Sequence, residues 1–364
     1  MFGELNKLFL ILTIGLIIPV SLHSQDSLTN PAYIALKPGY GFIIPHSEAI
    51  KDVSFTNPVS IEIETGWHLL QNRDWERYNC YSRAGLSLLY SNYQYPEVLG
   101  SSLNLIAFAE PFINYKGKLR SSIRMGFGAS YLTKVYDSGA NPENKFFSSP
   151  LSFIVHADYN LIKYFNKKWF ITAYFKYNHI SNGGISKPNK GMNFPSYGIG
   201  AGYSFQPIEF KNREKRKLQK PNPFIFSIHA FGTMAEVNDS DFQGRKPSVG
   251  AGVKVRKHVS IVNAFNAAVE GIFDFGVKEL MNDEPDPRDY KQFSFLIGHD
   301  FVIADFIFSQ YWGTYLYAPY YLNRTFFQRY SLTYQILPKF HAGVTLKAHA
   351  QVAENFNLML KYDL

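Results

Sequence analysis

This chain lacks most of the devices that hold exported or multidomain proteins together. Its single cysteine, Cys80, cannot form an intramolecular disulfide, so no disulfide framework is available, and Cys80 reads as a structural residue. Beyond residue 24 no apolar run approaches the roughly 18 to 20 residues that a spanning helix needs. If the chain enters a membrane, it enters as strands. Charged residues make up only 18% of the sequence, too few for the usual surface of soluble domains. None of the ten histidines, His46, His156 and His229 among them, forms a His-x-x-x-His or carboxylate cluster with metal-ligand spacing. They read as satisfied or interfacial side chains, and neither a metal nor a cofactor is expected.

The chain is rich in aromatic residues, at 17% with 25 Tyr and 32 Phe. Alternating strands whose lipid-facing bands are flanked by aromatic girdles produce this bias. A secreted all-β sandwich is the alternative that the same composition allows. The first 24 residues set the compartment. Lys7 precedes the apolar run Leu8 to Leu22, and small and polar residues follow to Ser24, the pattern of a Sec-type signal peptide cut near Ser24/Gln25. No cysteine follows it to carry a lipoprotein anchor. The formal net charge of +8 is concentrated in Lys211 to Lys220, which has six basic residues against one acidic. An exported chain meets no nucleic acid, so this run reads as a solvated linker with phosphate contact as a minor reading.

Period-two alternation and turn signals place strands at about 39–46, 59–69, 79–90, 102–114, 120–132, 150–160, 168–181 and 196–205. After the basic linker they resume at about 223–235, 247–257, 263–277, 291–298, 301–312, 325–336, 340–349 and 355–364. The expected fold is therefore all-β, an antiparallel transmembrane barrel of 14–16 strands, an even count being the rule for bacterial single-chain barrels. One large barrel is favoured, because two tandem eight-stranded barrels require two separate closures in one insertion event. The tandem arrangement is the alternative. Phe205 supports it, because the strand Tyr197 to Phe205 resembles the aromatic-ended last strand of an outer-membrane barrel, yet falls in mid-chain. The expected organisation is a signal peptide at 1–24, a first barrel region at 25–206, a basic linker at 207–222 and a second strand region at 223–364. That last region reads as a possible degenerate repeat. Lys176-Tyr-Asn-His179 has a counterpart, one residue shorter, in Lys347-Ala-His349.

The chemistry gathers where the strand from Trp169 turns through His179-Ile180-Ser181-Asn182-Gly183-Gly184. Sorted by parity, Trp169, Ile171, Ala173, Phe175 and Tyr177 form a greasy face that ends in His179 and Ser181. In a membrane barrel that face meets lipid. Residues two apart on a strand lie about 6.5 Å apart, within reach for an imidazole to take a proton from a serine hydroxyl. Counting back by twos from Tyr197 puts Asn193 on the same face, where its amide can orient the imidazole. On spacing alone the ornamental turn stays ahead of the catalytic reading, since Asn-Gly is the commonest hairpin dipeptide.

The run His179-Ile-Ser-Asn-Gly-Gly, the Pro188-Asn189-Lys190-Gly191 that follows and the alternating strand ending at Phe205 resemble the signature of the PagL-type lipid A 3-O-deacylases, many of whose relatives are called acyloxyacyl hydrolases. The resemblance covers roughly 33 to 206, with the remainder outside it. It implies an outer-membrane barrel whose serine esterase site faces outer-leaflet lipid. Ser181 is then the nucleophile, His179 the general base, and the backbone amides of Asn182 and Gly184 the oxyanion hole. It also implies an integral outer-membrane location and lipid A or lipopolysaccharide as substrate, and leaves the oligomeric state open. The chain departs from the family pattern at Asn193, which stands where the best-studied type has a glutamate. A carboxylate from another loop, such as Asp137 or Glu143, is one way to replace it. Two rival functions remain at this point: a non-enzymatic pore or surface-binding barrel with a relic site, and a phospholipid acyl hydrolase.

Overall fold

The computed structural model describes residues 30–183, 186–218, 222–238, 243–281, 287–320, 325–349 and 352–364. The expected signal peptide lies outside the described residues. The strands of the first half are β1 (Ala32–Gly41), β2 (Val59–Leu69), β3 (Ser82–Asn92), β4 (Ser101–Asn114), β5 (Leu119–Leu132), β6 (Leu151–Tyr164), β7 (Trp169–Ser181) and β8 (Met192–Ser204). In the second half come β9 (Ile225–Asn238), β10 (Gln243–His258), β11 (Asn263–Asp274), β12 (Lys291–Ile303), β13 (Phe306–Tyr317), β14 (Phe326–Leu337), β15 (Phe340–His349) and β16 (Val352–Asp363). Two short helices interrupt them, α1 (Asn72–Tyr78) and α2 (Phe275–Leu280).

The strands do not close as one barrel. β8 pairs back onto β1 and β16 onto β9, giving two closed antiparallel barrels of eight strands each. The tandem arrangement thus replaces the favoured single large barrel. The inward face of β8 helps explain how so narrow a closure fits: it carries Gly198, Gly200 and Gly202. A Cβ on Gly202 would stand 2.1 Å from the Phe170 ring, and one on Gly198 2.8 Å from the Tyr174 hydroxyl. Eight strands leave an interior just wide enough for side chains, so rings that enter it need bare backbone opposite.

β1 begins at Ala32, earlier than the expected 39, because Pro38 lies within the strand and does not interrupt it. Pro38 is paired with Ile61 on the β2 side, while the β1–β8 register passes from Leu36↔Ala201 to Tyr40↔Tyr197 without it. A proline, which has no N–H to donate, fits at such a gap in the ladder.

Inside the first barrel the side chains form three layers. At the end carrying Ser181, Ile43, Ile50, Tyr93, Leu99, Phe146, Phe147 and Phe194 form an apolar plug beneath the connections between strands. At the opposite end Tyr33, Trp75, Tyr81, Phe112 and Phe170 form a second plug, against which Phe210 packs. Between them lies a buried ionic belt of Glu62, Glu64, Glu110 and Asp158 with Lys37, Arg83, Arg124 and Lys176. Arg124 reaches Glu110 through Nε at 2.8 Å and through a terminal nitrogen at 2.6 Å. Four carboxylates face four cations, and removing any one would strand a buried charge at a cost of about 3 to 5 kcal/mol.

The basic segment after β8 is more than a solvated spacer. Lys211, Lys215 and Lys217 are exposed, but Ile208 is buried and Phe210 packs on the second plug. Trp75 Nε1 donates to Glu214 O at 2.9 Å, and Tyr81 Oη donates to Lys211 O at 2.9 Å. The segment therefore lies across the end of the first barrel opposite Ser181.

Candidate active site

Burial along β7 alternates as parity requires, with Trp169, Ala173, Phe175 and Tyr177 outside and Phe170, Thr172, Tyr174, Lys176 and Asn178 inside. His179 continues the outward set. The β7–β8 register pairs His179 directly with Asn193, so the two side chains leave the sheet on the same face. His179 Nδ1 lies 2.7 Å from Asn193 Oδ1. Ser181 ends the strand on the same parity and is 8% exposed.

Asn193 is itself held. Its Nδ2 is 3.3 Å from His46 Nδ1, and His46 Nε2 is 3.0 Å from Lys190 O. The proton assignment follows from the partners. A carbonyl only accepts, so a neutral His46 places its proton on Nε2 toward Lys190 O. Nδ1 is then a lone pair, which accepts from Asn193 Nδ2. Because Nδ2 faces His46, Oδ1 must face His179. His179 therefore carries its proton on Nδ1 and presents an unprotonated Nε2, the form a general base needs. His46 Nδ1 also lies 3.2 Å from Ile44 O, but with the proton on Nε2 it makes no hydrogen bond to that carbonyl.

Sequence reasoning passed over His46 as an interfacial residue. Closure of the barrel brings it in, because β1 pairs with β8 and the backbone beyond β1 continues alongside, with Ile44 N donating to Asn193 O at 2.9 Å. Spacing offers no signal for a contact between residues 147 apart.

Gly191 fits His179 and Ser181 together. It has φ +67°, and a Cβ there would stand 2.9 Å from His179 Cε1 and 3.2 Å from Ser181 Cβ. Only glycine meets both the left-handed backbone and the close approach. Neighbouring amides shape the turn. Gly183 N donates to Ser181 Oγ at 3.2 Å, and Asn182 N donates to Asn189 Oδ1 at 3.3 Å. Asn182 is 3% exposed, and its side chain donates to Ser186 O at 2.8 Å and Ser148 Oγ at 3.1 Å. Of the two expected oxyanion-hole amides, that of Asn182 is thus occupied by Asn189, and Gly184 lies outside the described residues. The N–H reaching the serine oxygen is that of Gly183.

Neither suggested replacement carboxylate supports His179. Asp137 Oδ1 accepts from Gly139 N at 2.9 Å and Ala140 N at 2.8 Å, and these two N–H groups hold its carboxyl below the usual range. Glu143 is exposed. His46 reaches Asn193, and Ser181 shares the strand parity of His179. Among the described residues no group of three His, Cys, Asp or Glu side chains is placed to hold a metal ion.

Comparison with known proteins supplies a family. The model described as lipid A 3-O-deacylase (PagL) matches residues 59–204, which span β2 to β8. The model described as acyloxyacyl hydrolase, C-terminal domain, matches 224–364, the whole second barrel, which the sequence resemblance had left out. A search of curated proteins gives no match. Among solved structures, that of the outer-membrane enzyme PagL is 16% identical with a TM-score of 0.32, covering 48% of this chain and 99% of its own. The siderophore receptor PirA from Acinetobacter baumannii is 7% identical with a TM-score of 0.25, covering 89% of this chain and 53% of its own. An engineered Rh. blastica porin is 5% identical with a TM-score of 0.19, covering 92% and 99%. With one model of the same family on each of its two barrels, this chain belongs to the PagL-type lipid A 3-O-deacylase and acyloxyacyl hydrolase family.

Proposed function

We propose that this chain is an outer-membrane serine esterase that removes an acyl chain from lipid A or a related acylated glycolipid. The observation that carries the reading is the 2.7 Å hydrogen bond from His179 Nδ1 to Asn193 Oδ1, made on the outward face that also bears Ser181. In this reading Ser181 Oγ attacks the ester carbonyl as its proton passes to His179 Nε2. The C–O bond to the glycolipid then breaks, and the alcohol leaves with that proton. Water enters by the same route in reverse, attacking the acyl-serine as His179 takes its proton, and releases the fatty acid. In this reading the backbone amides of Asn182 and Gly183 receive the tetrahedral oxyanion.

Asn193 serves as the third member. An amide cannot balance an imidazolium charge as a carboxylate does, but it fixes the tautomer once its own orientation is fixed. His46 supplies that orientation. A pore is the less supported alternative, since among the described residues an ionic belt and two apolar plugs occupy the interior of the first barrel.

The test is mass spectrometry of lipid A after incubation with the refolded protein in detergent. Wild type is expected to remove one acyl mass and Ser181→Ala none, with both proteins folded. Acyl loss that appears only in Asn193→Glu would mean a site disabled at its third member. Silence from all three folded proteins would sink the esterase reading.

A further inference from the structure

The second barrel touches the first at the candidate site. Phe356 lies near the outer end of β16, where Leu358 and Leu360 alternate outward with it, and Met359 points in. Its ring stacks on Phe153 of the first barrel, with centroids 5.0 Å apart and planes 22° apart. Phe153 in turn stacks on Phe127 at 5.9 Å and 19°. The β6–β7 register pairs Phe153 directly with Ser181. Phe356 also presses on the turn: a Cβ on Gly183 would stand 2.8 Å from Phe356 Cβ. Gly183 is the residue whose N–H reaches Ser181 Oγ. At the opposite end of the barrels Arg77 of α1 forms an ion pair with Asp305, between β12 and β13. The two barrels thus meet at both ends.

We infer that Phe356 of the second barrel completes an aromatic shelf with Phe153 and Phe127, and that this shelf holds the aliphatic chain of the ester cut at Ser181. The inference rests on the serine-esterase reading. An acyl chain bonded to Ser181 must run along the outward face. Along β7 it meets His179 and toward β8 Asn193, both polar. Toward β6 it meets Phe153 and then two further rings, an apolar surface that gains from covering each methylene. Phe356 borders this surface from the second barrel, so the second barrel acts as a specificity element for the first.

The experiment uses the full-length refolded protein with p-nitrophenyl butyrate and p-nitrophenyl myristate. Phe356→Ala is expected to lower kcat/KM for the myristoyl ester about tenfold more than for the butyryl ester, mainly through KM, because only the long chain reaches the shelf. Phe356→Leu should restore part of the loss. Equal losses on both esters, or none on the long one, would overturn the inference. A second arm does not depend on turnover: a myristoyl chain with a terminal diazirine, irradiated with the Ser181→Ala protein, should label the peptide containing Phe356 in a manner that lipid A competes. If the wild type hydrolyses neither ester, the esterase reading fails. The labelling then still decides whether the shelf binds a chain, and no competed label on that peptide refutes it.

Discussion

The two barrels are built alike and differ where one histidine points. In the first, Lys176 faces inward to the ionic belt, lying 3.7 Å from Asp158, and His179 comes three residues later. Three steps along a strand reverse the face, so His179 emerges on the outside beside Ser181. In the second, Lys347 also faces inward, 2.8 Å from Gln292 and 3.3 Å from Glu354, but His349 comes only two residues later. Two steps keep the face, and His349 stays inside. Its Nε2 lies 2.9 Å from the Tyr315 hydroxyl and its Nδ1 3.0 Å from Glu354.

The connections that follow differ as well. Ten residues separate β7 from β8, enough for the Asn182-Gly183 turn, Asn189 and Gly191, whereas two separate β15 from β16. A one-residue difference in phase and an eight-residue difference in loop length place the corresponding histidine either against Asn193 on the outward face or between Tyr315 and Glu354 inside. Eight closed strands with a buried polar interior are common to both, so the barrel supplies the scaffold and the phase decides the chemistry.

The comparison is broken most severely at His179. His179→Ala removes the proposed base while leaving the lipid face apolar, and deacylation should fall by a factor on the order of a thousand or more, as for loss of a triad base elsewhere. Lipid A mass spectrometry reads the loss, and unchanged heat-modifiable migration in gels shows that the barrel remains closed. A folded His179→Ala protein with residual activity within tenfold of wild type would mean that the outward histidine is as passive as its inward counterpart.

A smaller effect is expected at His46, which exists to orient an amide. Losing the hydrogen bond from Asn193 Nδ2 removes about 1 kcal/mol of orientation, and His46→Ala should lower kcat about fivefold with little change in KM. The double variant decides whether the role is positional. A carboxylate at 193 has two equivalent oxygens and needs no partner to choose between them. In the Asn193→Asp background, therefore, His46→Ala should cost less than twofold. An undiminished loss there would show that His46 acts on the fold of the loop rather than on the amide.

How much of this was legible from sequence depended on the range of the interaction. Alternation is local, and it identified sixteen strands, the outward face of β7 and, by counting back in twos, the partnership of Asn193 with His179. Closure is not local. Nothing in the residues of β8 names β1 as its partner, and only the aromatic ending at Phe205 hinted that the first barrel was complete. His46 and Phe356 were invisible for the same reason. One reaches the site through the β1–β8 seam and the other through the second barrel. The strand expected from about 39 begins instead at Ala32, because Pro38 sits at a gap in the β1–β8 ladder that asks for no donor.

The smallest effect on activity is expected at His349, and it tests the comparison from the other side. His349→Ala takes an inward imidazole from between Tyr315 and Glu354, leaving buried polar groups to find new partners, at about 1 to 3 kcal/mol of stability. Urea unfolding in detergent micelles should register that loss, while deacylation should stay within about twofold of wild type, because the residue is screened from lipid by its own strand. The opposite outcome is informative. A folded His349→Ala protein that keeps its stability but loses deacylation would place a working histidine inside the second barrel. The phase argument would then fail, and the inward face of β15 would have to be treated as part of the enzyme.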